Sequence, residues 1–212
     1  MLKVMSYFMK IQMKTVYFFI FMYSLTFESF SQTKESFEGK IIFDISYNSK
    51  DTSKADDFLG NEAIVYIKEG NYKQEYPKTK WVTKVIYRQD NHMYYTFFND
   101  NDSIRIYDYS ITDDTIINIV KSETETKILK TKCKSIIFYY NNKTVTYFYD
   151  ENYFIDPSYF TDHKYFSYDI YTQQTKSIYL KIIISDSKSD FIMTAKKISE
   201  EKVDNRIFNV EK

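Results

Sequence analysis

Lys40-Ile41-Ile42-Phe43-Asp44-Ile45-Ser46-Tyr47 alternates with a period of two: Ile41, Phe43, Ile45 and Tyr47 share one side, while Lys40, Asp44 and Ser46 take the other. Successive side chains of a strand point to opposite faces, so this stretch predicts a half-buried β-strand with one wet side. The same period returns repeatedly along the chain. Ala63–Lys68 and Tyr72–Tyr76 flank Glu69-Gly70-Asn71, where Gly70 can supply the positive φ of a tight hairpin. Lys80–Arg88, His92–Phe98, Ile104–Tyr109, Thr115–Val120, Cys133–Tyr140 and Thr144–Tyr149 follow between polar turns, and Ser177–Ser185 and Phe191–Ile198 resume the pattern. Arg206–Val210 reads as a last short edge strand.

These runs predict a mainly β fold of about eleven strands. Open twisted sheets rarely exceed ~10 strands without curling or splitting. The expectation is therefore a single curved antiparallel sheet, a half-barrel, with a short helical or loop cover. The cover falls in 150–175, where aromatic residues continue but alternation stops, and Asp156-Pro157-Ser158 has the N-cap and first-turn chemistry of a short helix.

Residues 1–31 differ from the rest. They carry Lys3, Lys10 and Lys14 but only one acid, Glu28, and a nearly unbroken apolar run from Val16 to Phe27, with Ser29 and Ser31 placed for cleavage before Gln32. This is the order of parts of a secretory signal peptide. Translation starting at Met1 or at Met13 fits equally, since Met13-Lys14-Thr15-Val16 would open a more compact leader. The apolar run falls short of the ~20 residues that cross a bilayer, so no transmembrane span is expected in the mature chain. The expected organisation is a signal peptide over 1–31 and one antiparallel β domain over 32–212, exported to the periplasm, the outer membrane or the medium.

Composition excludes several functions. The chain of 212 residues balances 29 Lys+Arg against 29 Asp+Glu, which removes the basic footprint of a nucleic-acid binder. One cysteine excludes a disulfide framework and a thiolate zinc site, and three glycines cannot build a phosphate-cradling loop. His92 and His163 lack metal-spaced partners, and there is no nucleophile elbow, so neither catalysis nor a cofactor is expected. Only a cluster of His163, Cys133 and an acid within hydrogen-bond reach would revive an enzyme reading. Lys132 and Lys134 could lower the Cys133 thiol pKa, yet a lone cysteine opening a strand reads first as a small buried apolar residue. Asn99–Ser103 superficially resembles a calcium loop but lacks its glycine and its glutamate, and reads as a turn.

The 22 tyrosines and 18 phenylalanines partly reflect a composition rich in Lys, Asn and Ile, as an AT-rich coding sequence produces. Tyr94-Tyr95, Phe97-Phe98 and Tyr139-Tyr140 nevertheless place rings on both sides of their strands. Two apolar faces must both be covered, and a concave face incompletely filled by its own side chains becomes an apolar pocket. Tyr95, Phe97 and Phe138 are the candidate cavity residues.

The order of parts resembles a group of small exported Bacteroidota proteins with a lipoprotein-carrier-like (LolA-like) fold. The resemblance is carried by Phe37-Glu38-Gly39-Lys40-Ile41-Ile42-Phe43, Lys132-Cys133-Lys134, Phe154-Ile155-Asp156-Pro157, Phe191–Ile198 and Ile207-Phe208, which span most of the mature chain. A neighbouring exported family carries Gly-Leu-Pro-Gly-Leu-Ile after a Pro-containing segment, a motif absent after Asp156-Pro157-Ser158. The resemblance implies a curved half-barrel, an envelope location and an apolar ligand such as a lipid, and no catalytic residues. Two readings stay open. A lipid-binding module calls for a cavity in the concave face; an envelope structural or protein-interaction module calls for a filled interior and an exposed apolar patch.

Overall fold

Ile41, Phe43 and Ile45 lie in the core while Asp44 and Ser46 face solvent, as the opening alternation requires. They belong to β1 (Gly39–Ser49), the central strand of the sheet. The computed structural model describes residues 34–49, 59–79, 81–99 and 103–210; the expected leader and Asp100–Asp102 of the acidic turn lie outside the described residues.

The chain adds β2 (Glu62–Lys68), β3 (Asn71–Glu75), β4 (Val82–Arg88), β5 (Met93–Phe98) and β6 (Ile104–Asp108) as one antiparallel meander. A second meander, β7 (Ile116–Ile128), β8 (Thr131–Tyr140), β9 (Lys143–Phe154), β10 (Ser177–Asp186) and β11 (Ser189–Glu200), returns to pair β11 with β1. Among the described residues eleven strands form one open antiparallel sheet ordered β6-β5-β4-β3-β2-β1-β11-β10-β9-β8-β7. Its two edges, β6 and β7, are therefore consecutive in sequence. The β2–β3 hairpin turns on Glu69 (φ 46°) and Gly70 (φ 78°), the two positive φ values that a two-residue turn needs.

Side chains of β6 and of β9–β11 line one common cavity, so the sheet bends around it as a half-barrel. Irregular pairing helps the bend: register shifts fall between Ile42 and Phe43, between Val82 and Lys84, and along Ser177–Lys181. The main core includes Phe43, Phe138, Val145, Tyr147 and Leu180, all at or below 1% exposure.

The cover is real and partly helical. Asp156 caps a 3-10 turn over Pro157–Phe160 by accepting from the Ser158 N–H, and α1 (Tyr168–Thr175) follows. The expected edge strand at Arg206–Val210 is corrected: Asn205–Phe208 is a 3-10 turn capped by Asp204. Phe208 and Val203 instead pack on Ile86 and Phe97, covering part of the convex face. Glu38 pins this tail, accepting from the Val203 N–H at 2.6 Å while Lys68 Nζ donates to the Val203 carbonyl at 2.9 Å. His92, expected in a strand, sits in the turn before β5 with φ 59°.

Candidate functional site

The concave face encloses a cavity of about 540 Å³. Its deep wall is apolar: Ile41, Phe43, Val65, Val82, Val85 and Ile178 line it at 3% exposure or less. Ile182, Ile184, Phe191 and Met193 continue the wall on the other side of β1. Among the described residues its polar groups are few, namely Gln74, Thr96, Arg105, His163 and tyrosine hydroxyls. Tyr107 and Tyr165 line the cavity yet are 48% and 40% exposed, which places its mouth beside β6 and the cover.

Of the residues read from sequence, Tyr95 and Phe97 do not line this cavity. Both sit on the convex face, where Phe97 packs with Ile86 and Phe208 and Tyr95 lies alongside. Their neighbours of opposite parity, Tyr94, Thr96 and Phe98, take the concave positions. Alternation shows that two faces exist; which one is concave depends on the whole sheet. Phe138 is on the inner side but fully buried within the solid part of the core, edge-on to Tyr147 with ring centroids 6.0 Å apart.

The cover closes one end through aromatic packing. Tyr171 of α1 stacks on Tyr147 at 4.2 Å, Tyr109 stacks on Tyr94 at 4.4 Å, and Tyr165 stacks on Tyr109 at 4.5 Å. Polar tips then tie cover to sheet. Tyr140 Oη and Ser167 Oγ share a 2.7 Å hydrogen bond, and Tyr147 Oη donates to the Phe166 carbonyl at 3.1 Å. The Lys164 N–H donates to the Tyr109 carbonyl at 2.7 Å. Phe166 and Ser167 adopt left-handed backbone (φ 53° and 54°), so the turn into α1 is held by these contacts rather than by local preference.

His163 is the buried centre of this packing, touching the rings of Tyr72, Tyr87, Tyr109, Phe160 and Tyr168. Desolvation holds its imidazole far below the ordinary value, at about 3, so it is neutral at neutral pH. Burial likewise raises the phenols of Tyr72, Tyr94, Tyr147 and Tyr168. The Tyr179 phenol, also facing the cavity, is pushed up to about 12. These groups supply rings and neutral hydroxyls, not charges.

Cys133 is fully buried and its thiol is raised by desolvation, so the flanking lysines do not activate it. Its sulfur lies 3.8 Å from Thr131 Oγ1, whereas His163 meets Tyr72; the two are not brought into one cluster. Among the described residues no group of three His, Cys, Asp or Glu side chains could hold a metal ion, and no helix is long and apolar enough to cross a membrane.

No protein-family model and no curated protein matches the chain. Among solved structures it is similar to PNGF-II in two crystal forms. In one the identity is 14% with a TM-score of 0.46, over 84% of this chain and 30% of PNGF-II. In the other the identity is 13% with a TM-score of 0.48, over 83% and 31%. It is also similar to the Mycobacterium tuberculosis lipoprotein LppX at 12% identity and a TM-score of 0.40, over 79% of this chain and 89% of LppX. The chain thus spans under a third of the length of PNGF-II. Likenesses of this order leave the chemistry to be read from the cavity itself.

Proposed function

We propose that the protein is an exported, non-catalytic binding module that holds a lipid or another apolar molecule in the concavity of its sheet, in the cell envelope or outside it. The cavity carries this reading. About 540 Å³ lies within the ~300–1,000 Å³ range of small-molecule sites, and its deep wall offers no charge. Each methylene moved from water into such a wall gains about 0.8 kcal/mol, so an alkyl or polycyclic ligand is favoured over a sugar or nucleotide. The alternative, an envelope interaction module, calls for an interior packed solid by its own side chains, which a cavity of this size disfavours.

The test is a titration with N-phenyl-1-naphthylamine, a neutral apolar fluorophore. Saturable, blue-shifted emission at near-equal stoichiometry, displaced by long-chain alkyl compounds, is the expected result. Absence of saturable uptake would overturn the reading and direct attention to protein partners.

A further inference from the structure

One wall of the cavity is built differently from the rest. The strand registers set Val65 opposite Gln74, Gln74 opposite Val85, Val85 opposite Thr96 and Thr96 opposite Arg105, a single row across β2 to β6. All five side chains line the cavity. Within the row Val65, Val85 and Thr96 are buried at 3%, 2% and 8% exposure, Gln74 is half-buried, and Arg105 at the far end is in solvent. The row therefore runs from the apolar depth to the mouth.

Its polar members have donors to spare. Gln74 Oε1 accepts from Tyr76 Oη at 2.7 Å, but among the described residues its amide nitrogen has no hydrogen-bond partner. The Thr96 side chain, more than nine-tenths buried, has none either. The Arg105 guanidinium lies over the Phe98 ring, with Cζ 4.9 Å from the ring centroid, and forms no ion pair among the described residues. With no carboxylate partner, its N–H donors are free to form the two-pronged bond that carboxylate and phosphate oxygens accept. A cation with free donors, standing over an apolar hollow and backed by an unpartnered hydroxyl, is complementary to a molecule with one anionic end and one apolar end.

We propose that the ligand is a single-chain amphiphile whose anionic oxygen head group is held by Arg105 at the cavity mouth, with Thr96 as a second donor and the tail lying toward Val65 and Ile41. The inference rests on the binding reading above and assigns it a ligand class and an orientation.

Calorimetric titration of the purified protein with dodecanoate, dodecyl phosphate and dodecanol separates the two. In Arg105→Gln the affinity for the acids should fall about tenfold, the low end for a hydrogen bond to a charged group, while dodecanol binding is unchanged. Arg105→Lys should recover part of the loss, since it restores charge without the planar fork. Dependence of only one acid on Arg105 would name the head group as carboxylate or as phosphate. If all three probes bind and Arg105→Gln weakens the acids no more than dodecanol, the head-group assignment is overturned and the binding reading stands. If none of the three binds the unaltered protein, the binding reading itself fails and takes the assignment with it.

Discussion

Tyr72 Oη and His163 Nε2 share a hydrogen bond of 2.9 Å that joins β3 to the cover across the end of the cavity. The bond lies among stacked rings, with Tyr72 5.1 Å from Tyr87 and His163 4.6 Å from Tyr87. Tyr72→Phe keeps the ring and removes the partner of a buried nitrogen. The expected loss is about 1–3 kcal/mol in urea unfolding, together with faster amide exchange in Tyr168–Thr175. Unchanged exchange there would show that the ring packing alone holds the cover.

The same histidine sets a pH dependence. Its folded-state pKa of about 3 lies below the ordinary 6.5, so the unfolded chain binds the extra proton between those values. Stability from this group is complete above about pH 6.5 and is lost as pH falls, by up to about 1.4 kcal/mol per unit until about pH 3. His163→Gln should flatten the stability profile between pH 6.5 and 5, measured by denaturant unfolding. Glu38, whose carboxyl is lowered chiefly by the Val203 N–H, adds its own loss mainly below that window.

Ile184 faces the cavity and is half-buried, so a larger side chain can grow into the hollow without displacing backbone. Ile184→Trp should lower affinity for an apolar probe at least tenfold while leaving the thermal midpoint unchanged or raised. Fluorescence titration and a melting curve on the same sample check both halves.

Cys133 should resist a thiol reagent such as DTNB in the native protein at pH 8 and react at once in 6 M guanidinium. Its burial and raised pKa both hold it as the unreactive thiol. Rapid native labelling would contradict the packing described for β8.

Gly39 lies where a Cβ would come within 2.2 Å of the Ser199 carbonyl oxygen, a backbone atom that cannot swing aside. Gly39→Ala should destabilise by about 1–3 kcal/mol, read as a lower urea midpoint, because β1 must move away from β11.

The strands were legible because Ile41, Phe43 and Ile45 repeat at the period of the pleat, and Gly70 marks the one hairpin whose glycine is diagnostic. Three features escaped. Tyr168, Tyr171, Thr172 and Thr175 recur on the buried face of α1 at i, i+3, i+4 and i+7, but with Asp169 buried beside them three of the five buried residues are polar, so counting apolar residues misses the helix. Arg206–Val210 is too short for periodicity to separate a strand from a turn, and the cap by Asp204 was the available signal. The cavity wall was missed by one residue, Tyr95 and Phe97 for Tyr94, Thr96 and Phe98, because concavity belongs to the assembled sheet rather than to any one strand. The row that brings Thr96 to Arg105 is invisible for the same reason: it exists only once the register is set.

Native mass spectrometry of protein purified without detergent from an exporting host, paired with solvent extraction, tests the central claim most directly. The account expects one apolar molecule per chain, retained in the gas phase and lost in Ile184→Trp. A mass equal to the polypeptide alone, unchanged after incubation with long-chain lipids, would contradict it.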